Sequence, residues 1–130
     1  MRVIIYVFVG GGLGALTRYA LGLMSQSLSG RAMTAWLNGI PLGTLLANLI
    51  GSCLLGFLVG AIPSSTPLKA GLTTGLMGGL TTFSTLSLES AQLLSSGQQA
   101  RALLHLALHL CGGVLLAILG LSLGESLSRR

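Results

Sequence analysis

Four apolar runs, each long enough to cross a bilayer, take up almost all of this 130-residue chain: residues 3–24, 40–62, 68–96 and 102–124. A helix needs roughly 20 apolar residues to cross the hydrocarbon layer, where it must satisfy its own backbone groups. Little remains for a water-facing surface. Only 7% of residues are charged, against about 25% in a soluble domain. The expected fold class is therefore all-α and membrane-embedded, one four-helix transmembrane domain over residues 1–130. The turns are expected around Arg31, in the IPSSTPLK stretch with Pro63 and Pro67, and in SSGQQAR around Gly97, each with the polar, Gly or Pro content of a turn. Arg2 followed by an apolar run has the outline of a signal peptide. That run is too long, and three more follow, so it reads as a retained first helix.

The net charge of +5 comes from seven Lys and Arg set against two acids. Scattered one or two per loop, the basic residues read as membrane-interface anchors and not as a nucleic-acid surface. With four spans, Arg2, Lys69, Arg129 and Arg130 share one side. Arg31 and Arg101 share the other, joined by Arg18 if it snorkels that way. Four against three is a weak bias, so insertion in both senses is expected. Small residues recur four apart at Gly10/Gly14, Gly56/Gly60, Gly71/Gly75/Gly79 and Gly120/Gly124. Such rows let helices approach closely in lipid. Four short helices enclose little interior, so a path or site belongs at a subunit interface, and at least a dimer is expected.

Enzyme chemistry finds no constellation: the chain has no aspartate and no H-E-x-x-H. Cys53 and Cys111 fall mid-span without a partner motif and read as packing residues. His105 and His109, four apart, share a helical face. No acid or thiolate completes a zinc set with them on that face, so they read as lining a path or making an interhelical contact, His105 close to a wet interface. Arg18, Asn48 and Glu89 are the other polar groups within spans, and intramembrane ionisable residues are functional candidates.

The stretch GLMGGLTTFSTLSLE, residues 75–89, is the least suited to an unbroken span. Gly78, Gly79 and the β-branched Thr81, Thr82 and Thr85 all lower helix propensity, so about a turn is expected to unwind. Unwound backbone must line a cavity or lie against protein. It is either a kink filled by side-chain hydroxyls or a source of carbonyls for a cation, two breaks across a two-fold axis doubling the carbonyl number. Phe83 is either packing or, turned edge-on, a partner for an anion. Asn48, with Thr44 one turn earlier, could add hydrogen bonds to that anion.

In these features the chain resembles the Fluc (CrcB) family of fluoride channels along its full length. The likeness lies in GGGLGALTRY at 10–19, PLGTLLANLIGS at 41–52, TTGLMGGLTTFSTLSLE at 73–89 and the stretch from His109 to Gly120. The resemblance implies an antiparallel, dual-topology homodimer in the bacterial inner membrane, its third helix broken mid-membrane. It implies passive, fluoride-selective export that relieves fluoride toxicity, through two antiparallel pores at the dimer interface. It further implies a structural, untransported Na+ on the dimer axis, held by the carbonyls of Gly78 and Thr81. Carried over by position, Thr44, Asn48, Phe83, Ser84, Thr85, Leu86 and His109 border the fluoride path, Arg18 lies in the vestibule, and Glu89 is the acid that follows. Leu86 stands where relatives commonly carry a second aromatic, and Gly113 where they often place a serine. Two other readings are a proton-coupled small multidrug exporter, which relies on a first-helix carboxylate that this chain lacks, and one subunit of a heterodimeric fluoride channel. A non-transporting assembly subunit would not explain the interrupted third span.

Overall fold

The computed structural model describes residues 1–29, 39–62 and 65–129, and every regular element among them is helical. Arg31, Pro63 and Arg130, which entered the expectations about turns and charge bias, lie outside the described residues. The elements are α1 (Arg2–Ser29), α2 (Leu42–Ala61), α3 (residues 67–80), α4 (Phe83–Ser95) and α5 (Gln99–Ser128). Among the described residues, three segments are long and apolar enough to cross a membrane: Arg2–Gln26, α2 and α5. The third apolar run is divided between α3 and α4.

Local chemistry sets these boundaries. Thr66 caps α3 by accepting from the Lys69 N–H at 3.1 Å, with Pro67 in the first turn, where its missing N–H costs nothing. Within α3 the stretch Gly71–Met77 widens into π-helical turns, and Leu108–Gly112 does the same within α5. Gly97, at φ +74°, turns the chain between α4 and α5, with its own N–H on Leu94 O and that of Gln98 on Leu93 O. Buried or outward, the span hydroxyls bond back to the preceding turn as their setting requires: Thr17 to Leu13 O, Ser87 to Phe83 O and Ser90 to Leu86 O.

Two glycine seams hold the helices together. A Cβ added to Gly10 would lie 2.2 Å from Gly71 O, one on Gly14 2.2 Å from Leu76 O, and one on Gly79 2.4 Å from Gly11 O. α1 and α3 therefore touch backbone to backbone. The same holds for α2 and α5, where a Cβ on Gly56 would meet Ala117 O at 2.3 Å and one on Gly120 would meet Cys53 O at 2.0 Å. The small residues spaced four apart are these contact points. The sequence GLSLG at 120–124 matches the nucleophile-elbow pattern of hydrolases, but it lies inside continuous α5, and its glycines serve the seam. That pattern needs a strand-to-helix turn to expose its serine. Cys53 is half-buried and Cys111 is exposed, both as free thiols, so Cys111 does not pack within the chain as expected.

Candidate functional site

The break between α3 and α4 is confined to two residues. Thr81 (φ −82°, ψ 152°) and Thr82 (φ −151°, ψ 120°) are extended, while Gly78–Leu80 stay helical. The interruption expected over Gly78, Gly79 and the threonines that follow is present, shorter than a turn and confined to Thr81 and Thr82. Gly79 is needed for close approach to α1, whereas β-branched threonines accept extended backbone readily. Thr81 still donates its N–H and its hydroxyl to Met77 O, both at 2.9 Å.

Asn48 of α2 clamps the break. Its Oδ1 accepts the Thr82 N–H at 2.7 Å, and its Nδ2 donates to Thr82 O at 3.1 Å. In an unbroken helix the Thr82 N–H would serve Gly78 O, four residues back. The Thr85 N–H, which would likewise serve Thr81 O, goes instead to the Thr82 hydroxyl at 3.3 Å. The carbonyls of Gly78 and Thr81 thereby lose their usual donors. Nothing lies within 4 Å of where a Gly78 Cβ would stand. The break also sets two helix ends side by side: the carbonyl end of α3, partially negative, and the N–H end of α4, partially positive. Sequence reasoning singled out Asn48 as a donor to an anion. The structure uses its carbonyl and one of its two N–H bonds to hold backbone.

The other residues singled out divide between two recesses. A groove of about 600 Å³ is lined by Asn48, Ser52, Thr81, Thr82, Phe83, Leu86 and His109, with neighbouring leucines. Phe83 is 80% exposed and Leu86 is buried, so the two positions a turn apart do not present alike. A separate notch of about 290 Å³ gathers Arg18, Thr44 and Thr85, with Tyr19 and Gly43. Ser84 is exposed and lies with Thr85 in a hydroxyl cluster around Thr82 Oγ1, each 3.1 Å from it.

Glu89 was read as a polar group following this stretch, without partners. The structure makes it the centre of a chain of side chains from three helices. The Thr44 hydroxyl donates to Glu89 Oε1 at 2.6 Å, and Glu89 Oε2 lies 3.3 Å from His105 Nε2. The His105 ring meets that of His109 edge-on, centroids 4.4 Å apart, and His109 Nδ1 donates to His105 O at 2.9 Å. His105 is fully buried within the chain, on the helix that begins at Gln99. Their spacing placed the two histidines on one face. No sequence signal paired either with Glu89.

The family model described as CrcB-like protein, Camphor Resistance (CrcB), matches residues 5–121. Among curated proteins, the chain is 39% identical over its whole length to the "Fluoride-specific ion channel FluC 1" of Bacillus cereus (strain ATCC 10987 / NRS 248), covering 94% of that protein. It is 40% identical to the "Fluoride-specific ion channel FluC" of Shewanella woodyi, covering 92% of this chain and 94% of the relative. The protein of the same name from Pectobacterium atrosepticum is 43% identical, over 90% of this chain and 89% of the relative.

Proposed function

The chain belongs to the CrcB-like family, and from that premise we propose that it is a fluoride-selective channel that passively exports fluoride from the cytoplasm. It is a multi-pass bacterial membrane protein and not an enzyme. The observation that carries the channel reading is the two-residue break, which supplies ends of both polarities within one apolar run. The N–H end of α4, with the hydroxyls of Thr82, Ser84 and Thr85 about it, suits a small, strongly hydrogen-bonding anion. Asn48 keeps one N–H for the groove, and Phe83 lines it, an aromatic ring whose edge suits an anion. Arg18, in the notch with Thr44 and Thr85, draws anions toward the path.

The carbonyl end of α3 suits a cation. Gly78 O and Thr81 O are the two carbonyls whose helical donors are diverted, and they would hold a structural Na+. Bound, that ion would supply fixed positive charge beside the break. One chain offers two such oxygens, and a hard cation prefers several. A second copy doubles the number. The open surface at Gly78 and the exposed Phe83 and Ser84 also favour a partner, since a break cannot face lipid. We therefore read the active unit as a homodimer, antiparallel because the basic residues favour neither orientation. In it α3 and α4 together make the third of four crossings. No carboxylate occurs in α1, so nothing favours the exporter reading.

The test is fluoride release from liposomes containing the purified chain, followed with a fluoride electrode and with chloride as the control anion. Rapid fluoride release without chloride release is expected. Silence from well-folded dimers would point to a missing second subunit or reject the channel. A further expectation concerns Phe83. With Leu86 in place of a second aromatic, Phe83→Ile should slow release about tenfold or more, the loss of one aromatic edge contact of about 1.4 kcal/mol. Parent-like rates in that variant would remove Phe83 from the path.

A further inference from the structure

A bare carboxylate beside an anion path opposes the anion, so Glu89 poses a problem for the channel reading on which this inference rests. Its side chain is only 17% exposed, and the imidazole facing Oε2 is wholly buried. A lone charge so placed is costly, and burial favours neutral pairs. Of the two carboxylate oxygens, Oε1 is held by Thr44. Oε2 has no hydrogen-bond partner of good geometry, and neither has His105 Nε2, yet the two buried atoms are 3.3 Å apart. Among the described residues this is the ion pair that each of the two groups forms.

We propose that His105 is a positioning residue for Glu89 and that the two share a single proton. The proton resides on Glu89 Oε2 or on His105 Nε2. One placement gives a neutral acid beside a neutral imidazole, the other a carboxylate beside an imidazolium, and the pair has zero net charge in both. Held by Thr44 on one oxygen and by His105 on the other, the carboxyl group keeps one orientation and presents no net negative charge to a passing anion. The surrounding groups agree with this. From α2 comes Thr44, which does not titrate. From α5 comes His109, whose Nδ1 donates to His105 O. From α1, Arg18 shares the notch with Thr44. Among the described residues the only other acid is Glu125, which is exposed and pairs with Arg129, so no second carboxylate competes for the proton.

The experiment compares fluoride release by the parent, His105→Leu, His105→Gln, Glu89→Gln and the double variant His105→Leu/Glu89→Gln, between about pH 5.5 and 8. Release from protein-free liposomes is subtracted to remove HF leakage. With the imidazole gone, Glu89 carries its charge alone as pH rises. Release by His105→Leu should therefore fall about tenfold or more toward the alkaline end, while that of the parent stays level. His105→Gln, which can hydrogen-bond but carries no proton, should behave as His105→Leu does. Adding Glu89→Gln removes the charge and should return release to the level of Glu89→Gln alone. A double variant as slow as His105→Leu would reduce His105 to packing and overturn the proposal, as would a level pH profile in both single His105 variants. A second readout does not depend on conduction: the infrared carboxylic-acid band of Glu89, identified by its loss in Glu89→Gln. Its pH dependence should change in His105→Leu. If it is the same with and without His105, no proton is shared, whether or not the chain conducts. Absence of release from the parent would reject the channel reading alone.

Discussion

Asn48→Leu should lower fluoride release at least about a hundredfold, a loss near 2.7 kcal/mol. The leucine has nearly the volume of the amide and none of its hydrogen bonds. It leaves the Thr82 N–H and C=O, both now held by Asn48, without partners at about 1–3 kcal/mol each. In a bilayer no water can take the place of the amide. The chain's cheapest remedy is to give the Thr82 N–H back to Gly78 O and continue the helix. That remedy removes the N–H end of α4 and reoccupies a carbonyl at the end of α3, so both proposed ion sites would be lost together. Asn48→Asp separates the two bonds. It keeps an acceptor for the Thr82 N–H but sets a carboxylate against Thr82 O, so it too should conduct poorly while holding the break open. Release assays on both variants, with the Na+ dependence of thermal stability measured alongside, check the account. Parent-like release from Asn48→Leu would show that the clamp is dispensable.

Gly120→Ala should cost about 3 kcal/mol or more of stability, at the upper end of overpacking effects. The new Cβ would stand 2.0 Å from Cys53 O, 2.9 Å from Cys53 C and 3.0 Å from Phe57 N. All three are backbone atoms of α2, with no flexible side chain to yield. Relief requires the helices to part along the whole seam, through Gly56 and Gly60. The matched control is Gly12→Ala, where the added methyl group meets nothing within 4 Å. There alanine's better helix propensity should be neutral or stabilise by up to about 1 kcal/mol. Thermal melting in detergent distinguishes the two. Equal melting temperatures would mean that α2 and α5 do not touch at Gly120.

Much of the fold was legible in the sequence because lipid imposes a simple rule on length and hydrophobicity. The runs at 3–24, 40–62 and 102–124 became α1, α2 and α5, each extended or trimmed by a few residues at its ends. The glycines spaced four apart were legible as contact points. Which row faces which was not, since Gly10 and Gly14 could have met Gly56 and Gly60 as readily as Gly71 and Gly75. The break was legible from composition, but over a wider stretch than the two threonines that form it. Propensity treats Gly78 and Gly79 as helix breakers, whereas close approach to α1 keeps Gly79 helical, and the threonines take the extended backbone. Asn48 was recognised as important for a different reason from the bonds it makes, because its partner Thr82 is 34 positions away. The contact between Glu89 and His105 was illegible for the same cause: lateral pairing of helices leaves no periodic trace.

Chain order gives the Asn48–Thr82 clamp a consequence for how the protein is made. The N-terminal part of a chain emerges first during synthesis, so α2 is available when Thr82 leaves the ribosome 34 positions later. The extended peptide can find its amide on arrival and need not wait unpaired in hydrocarbon. Thr44 likewise precedes Glu89, by 45 positions, and leaves the ribosome before it. The earlier helix thus acts as an intramolecular chaperone for the later break, and α5 arrives last to close the second seam.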